Sequence, residues 1–147
     1  NTSNIYYRNQ DRLEKRYTTT ERDGAFYGQE KPLYILTSKE TFSAAEDFAY
    51  TLKHLGRAVI VGDTTGGGAH PGDFVRLHDH LEVFIPTGQS VNPITKTNWE
   101  GVGVKPNVAT APEAAQTEAL KRALTHLMQT EKDAHKVARM EQHLSRL

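Results

Sequence analysis

A chain of 147 residues suits a single domain that buries roughly 70% of its unfolded surface. Its 18 basic and 18 acidic side chains cancel, so there is no basic field to hold nucleic acid, and no apolar run approaches the about 20 residues that span a bilayer. With no cysteine, disulfides, thiolate metal sites and cysteine nucleophiles are excluded, a composition that fits export without requiring it.

The chain opens on Asn1 rather than Met, which points to a piece of something longer. Residues 1–30 are polar and tyrosine-rich, with weak strands at 5–8 and 15–19 and a turn at Asp23-Gly24. The first strong strand is 33–37, a continuous apolar run of the kind buried on both faces of a parallel sheet. A helix follows over 43–55, with Ala44, Ala45, Phe48, Ala49 and Leu52 on one stripe and Gly56 at its C′ position. Residues 57–62 form a second buried strand, so the segment reads as a right-handed βαβ unit. Beyond the flexible turn Gly66-Gly67-Gly68, residues 73–77 and 81–85 predict two antiparallel strands around His78-Asp79-His80. Turns at Pro86-Thr87-Gly88, Val91-Asn92-Pro93 and Lys105-Pro106-Asn107 lead to a helical last third. There Pro112 is a good N1 residue, and Ala115, Leu120, Ala123, Leu124, Leu127 and Met128 mark a buried stripe. After Thr130 the pattern thins to an exposed helix or extension.

The chemistry centres on Ser43, where the first strong strand feeds a helix. A serine there has an exposed hydroxyl, and the N–H groups that follow lack helical partners and are free to bind an oxyanion. Ser43-Ala44-Ala45-Glu46 is also a capping box, and on those four residues alone the cap is the better account. Thr41 and Ala45 stand where the α/β-hydrolase elbow has glycines. Two other motifs are weak. Residues 62–68 miss the lysine and hydroxyl residue of a P-loop, and His78-Asp79-His80 is explained as a polar turn more simply than as a metal site.

Context changes the balance at Ser43. In order, the chain carries Leu33-Tyr34-Ile35-Leu36-Thr37, then Thr41-Phe42-Ser43-Ala44-Ala45-Glu46, then Ala58-Val59-Ile60-Val61-Gly62-Asp63-Thr64-Thr65-Gly66-Gly67-Gly68. Phe84-Ile85-Pro86-Thr87-Gly88 and Trp99-Glu100-Gly101-Val102-Gly103-Val104-Lys105-Pro106 follow. Over about residues 30–128 this order resembles the core of the tail-specific (carboxyl-terminal processing) peptidase superfamily, which includes the tricorn core protease and the interphotoreceptor retinoid-binding protein.

The resemblance implies an α/β fold of the ClpP/crotonase type, a superhelix of ββα units, with a C-terminal helical segment. It divides the chain into N-terminal strands or linker (1–30), the C-terminal part of a peptidase core (30–128) and a helical tail (129–147). It implies a serine endopeptidase acting on peptides or proteins through an acyl-enzyme, with no cofactor and no metal. Ser43 matches the family's nucleophile, and the Ala44 N–H its oxyanion donor. The tail-specific branch has a lysine base at about Gly67, and this chain has none there. The sequence is therefore similar to the tricorn and retinoid-binding branch, where a histidine is the base and a glutamate, here Glu100, orients it. That histidine lies upstream of the serine in the branch, whereas all seven histidines here follow Ser43. The expected partner is thus the upstream half of a parent chain, without which the piece is expected to be inactive. His70 is the local alternative base. Export is implied by the resemblance, oligomeric state is left open, and the rival function is an inactive peptidase-like module binding an apolar ligand or peptide.

Overall fold

The computed structural model describes residues 1–18 and 23–147. In chain order the elements are β1 (Ser3–Tyr7), β2 (Arg12–Arg16), β3 (Tyr34–Thr37), α1 (Ala44–His54), β4 (Val59–Gly62), β5 (Gly72–His78), β6 (Leu81–Pro86), β7 (Gly88–Val91), β8 (Val108–Ala109), α2 (Pro112–Thr130) and α3 (Ala134–Leu144).

The βαβ unit forms as its periodicity predicts: β3 and β4 run parallel, joined by α1, and Gly56 ends that helix at φ +66. β8 adds a third parallel strand beside β4, so β4 is central. Side chains alternate across a strand, and that alternation builds the core. Ile60 joins Ala49, Ala69, Trp99 and Val104 on the α1 face, with Ile35 and Tyr50 packed alongside. Val61, one residue on, joins Ala115 and Ala119 of α2 on the other face, with Tyr34 and Val108. Both β4 side chains are fully buried, each contributing about 1.5–3 kcal/mol. The architecture is α/β, one helix on each face of a short parallel sheet.

Three burial expectations are corrected. Leu36 is 46% exposed: it shares a face with Val61 but lies on an edge strand, where the small α2 residues do not reach over it. α1 presents Glu46, Ala49 and Thr51 inward, while Phe48 stays exposed, because the hydrogen bonds of Glu46 fix the rotation of the helix. On α2 burial is confined to Ala115 and Ala119 in the first two turns, and Leu127 is exposed.

Polar residues 3–16 form a hairpin of β1 and β2, and β1 pairs antiparallel with β7 on its other edge. The second N-terminal strand begins at Arg12, earlier than its spacing predicts, and Thr19, the end expected for it, lies outside the described residues. Among the described residues β5 and β6 pair antiparallel only with each other, with Phe74 and Phe84 edge to face at 5.4 Å. α3 has no buried residue. Among the described residues no helix is long and apolar enough to cross a membrane.

Candidate active site

β3 and β4 end side by side, Thr37 opposite Gly62, and the segments leaving them build the candidate site. Carboxyl ends of parallel strands are the usual place for such sites, because loops diverge there. From β3 the chain turns at 38–42 and enters α1 at Ser43. From β4 it passes Gly62 into a glycine loop at 63–71. Gly62 has φ +134, and a Cβ there would fall on the Thr37 carbonyl oxygen, so only glycine lets the two strands stay this close.

Ser43 is exposed and held at φ +54, ψ −118, outside the regions L-residues favour. Such strain costs on the order of 1–3 kcal/mol and persists where the surroundings over-determine it. The Ala45 N–H donates to the Phe42 carbonyl (3.2 Å), and the Glu46 and Asp47 N–H groups both donate to the Ser43 carbonyl (2.9 and 3.0 Å). The Ala44 N–H has no acceptor among the described residues and sits at the positive end of α1, where an anion is stabilised. Ser43 and Glu46 stand as a capping box, but only the Glu46 half closes as a full hydrogen bond. Its carboxylate accepts from the Ser43 N–H at 2.9 Å, while the Ser43 hydroxyl makes no full capping bond.

Glu46 does more than the sequence suggests. It is fully buried, and its two oxygens accept four hydrogen bonds. Oε2 takes the N–H groups of Ser43 and Gly68 (2.9 and 2.8 Å), and Oε1 takes the Gly67 N–H (2.7 Å) and the Thr65 hydroxyl. One side chain thus ties the start of α1 to the glycine loop. Thr65 Oγ1 in turn accepts from the Val104 N–H at 2.7 Å. The only local sign of this role is the acid three residues after Ser43, which reads as a cap. Thr65 carries no sign at all.

The same loop holds Glu100. The Ala69 N–H donates to Glu100 Oε2 at 2.6 Å, the Trp99 indole N–H to the Gly68 carbonyl at 2.9 Å, and the Gly101 N–H to the Gly67 carbonyl at 2.9 Å. His70 Nδ1 lies 3.8 Å from Glu100 Oε2, with the two side chains 34% and 41% exposed. So exposed a pair adds little stability, which leaves its orientation as the point of interest. Ser43, Ala44, Gly68, Ala69 and His70 all open onto one cleft of about 140 Å³, with Arg16 and Asp47 on its wall. Sequence reasoning missed both wall residues, which come from different elements. Among the described residues no lysine lines the cleft, and a Cβ at Gly68 would run into the Phe42 ring.

His78 and His80 lie away from this cleft, ring centroids 6.0 Å apart, and Arg76 takes the Asp79 carboxylate at 3.3 Å. Among the described residues no three His, Cys, Asp or Glu side chains gather as metal ligands would.

The chain is similar to a crystal structure from Parabacteroides merdae named as a candidate peptidase, at 22% identity and TM-score 0.58 over 75% of this chain and 35% of that one. It is similar to mature CPAF at 20% identity and TM-score 0.53, over 65% and 20%. It is 31% identical to the photosystem II D1 C-terminal processing protease, TM-score 0.49, over 56% and 21%. The chain therefore spans between about a fifth and about a third of the length of these structures. The family model described as peptidase family S41 matches residues 1–110. The chain belongs to peptidase family S41, the tail-specific protease superfamily that its motifs resemble.

Proposed function

We propose that this chain carries the nucleophile and the orienting acid of a serine peptidase of the tricorn-like or retinoid-binding-like branch. In that reading it is the C-terminal part of a longer enzyme of ClpP/crotonase type, its core over 30–128 flanked by the strands of 1–30 and the tail of 129–147. The Ser43 hydroxyl attacks a peptide carbonyl while a histidine takes its proton. Glu100 holds that histidine in the right tautomer and stabilises the imidazolium, and the Ala44 N–H binds the oxyanion.

One observation carries the reading. Ser43 holds a strained positive φ at a helix start beside an Ala44 N–H with no acceptor among the described residues, and the buried Glu46 locks it to the loop that also grips Glu100. A simple cap would need neither the strain nor the link. The strained serine equally argues against a module that only binds.

The test is covalent labelling. A fluorophosphonate should modify the parent enzyme at Ser43, and Ser43→Ala should abolish the label while lowering stability by no more than a lost cap, about 1 kcal/mol. Label that survives Ser43→Ala would overturn the assignment.

A further inference from the structure

We propose that the groove between α2 and α3 docks an acidic amphipathic helix of a partner protein, a function separate from Ser43. Both helices lie beyond residue 110, where the family match ends. Residues 131–133 turn the chain back, and α3 packs on α2 as the second arm of a helical hairpin. The hairpin leaves apolar surface uncovered: Val137, Met140 and Leu144 are only half-buried, and no residue of α3 is buried. Two helices that meet along one line leave a groove beside it, in which a third helix can lay its apolar face.

This groove has a volume of about 430 Å³ and is lined by Leu124 of α2 and by Lys136, Arg139, Met140 and His143 of α3. Its lining is mostly apolar, from Leu124, Met140 and the aliphatic stems of Lys136 and Arg139. Every chargeable group in it is basic. Lys136, Arg139 and His143 stand at i, i+3 and i+7, which sets them in one row along about 10 Å of α3. Lys136 Nζ lies 3.6 Å from Glu131 Oε2, whereas Arg139 and His143 have no ion pair among the described residues. Glu141, the acid within α3, falls on the far side of the helix from that row.

The pitch and the charge select the occupant. A second helix with carboxylates at i, i+3 or i+4 and i+7 matches the basic row, and apolar side chains on its neighbouring stripe reach Leu124 and Met140. The sign of the row rejects a basic helix. A groove this open lacks the enclosure that holds a small molecule. An anionic membrane shares the charge, but the apolar floor is concave, which a helix fills and a flat lipid surface does not.

The test uses the full 147-residue chain. Of its two methionines only Met140 lines the groove, so isotope-labelled methionine methyls report occupancy by NMR. The probe is a synthetic helix of about 20 residues with leucines on one stripe and glutamates beside it. With the chain at about 50 μM, the Met140 signal should move as the peptide is raised to about 1 mM. Replacing every glutamate of the peptide by glutamine should weaken binding by about tenfold. Arg139→Glu should weaken the glutamate peptide by about tenfold or more and turn the preference to the same peptide with lysines, with the thermal melt unchanged. A Met140 signal that never moves, equal affinity for the glutamine peptide, or movement of Met128 alone would each overturn the proposal. So would phosphatidylserine vesicles that hold the chain more tightly than the peptide does; that result makes α3 a membrane contact.

Discussion

Glu46 is the residue on which the site's geometry depends most. A buried carboxylate that accepts four hydrogen bonds has no donor of its own to place, which suits a pocket lined by three N–H groups and a hydroxyl. Glu46→Gln would turn an amide NH₂ against those donors, and we expect it to cost about 3 kcal/mol in urea unfolding and to slow Ser43 labelling. A loss well below about 1 kcal/mol would show that the pocket needs no charge. Glu100 is partly exposed, and on the proposed reading it acts through the imidazole it orients, so it should behave differently. In the parent enzyme Glu100→Gln should leave KM near wild type and lower kcat by orders of magnitude; a kcat within about two-fold would make it a bystander. His54 gives a pH signature unrelated to catalysis. Burial first, and then the Lys53 charge, hold its pKa below the ordinary value of 6.5. The unfolded chain therefore takes up the proton first as pH falls. Stability from this residue is full above about pH 6.5, declines below it, and levels off once the folded imidazole is protonated too. His54→Gln should flatten that decline, read as the difference in urea midpoint between about pH 7.5 and about pH 5.

The glycines divide by what surrounds them. Gly101 and Gly103 have nearly the same left-handed φ, +68 and +69. A Cβ at Gly101 meets open space, whereas one at Gly103 would strike the Thr65 carbonyl, on the residue that links Glu46 to Val104. Gly101→Ala should cost about 1 kcal/mol for conformation alone, and Gly103→Ala about 3 kcal/mol or more, measured by thermal melts. Equal losses would mean the Thr65 contact relaxes freely. The elements themselves were largely legible. The apolar runs at β3 and β4 and the turn at Gly56 mark the βαβ unit because a buried strand and a C′ glycine leave local signatures. Their burial was less legible. Phe48 reads as a core residue from its spacing, yet it is exposed because Glu46 turns α1 the other way.

At the scale of the whole molecule, the β5–β6 hairpin gathers seven exposed large apolar side chains: Phe74, Val75, Leu77, Leu81, Val83, Phe84 and Ile85. A two-stranded sheet with apolar residues on both faces and open edges is a template for association. The chain alone should self-associate at about 100 μM in sedimentation velocity, and Phe74→Ser with Leu77→Ser should return it to monomer. Because both side chains already face solvent, the melt should hardly move. A wild-type chain that stays monomeric would contradict this.

The sequence by itself determined the α/β class, the helix start at Ser43, the hairpin at β5–β6 and the family. Each rests on residues adjacent in the chain: an apolar run, a cap box, a turn, an ordered set of short motifs. Only the tertiary structure decided that β1 pairs with β7, that Glu46 clasps the glycine loop, that Arg16 and Asp47 wall the cleft, and that His70 turns Nδ1 to Glu100. Those relations join residues far apart in the chain. A carboxylate looks the same in sequence whether it caps its own helix or also bonds a loop folded back onto it, and packing alone chooses between them.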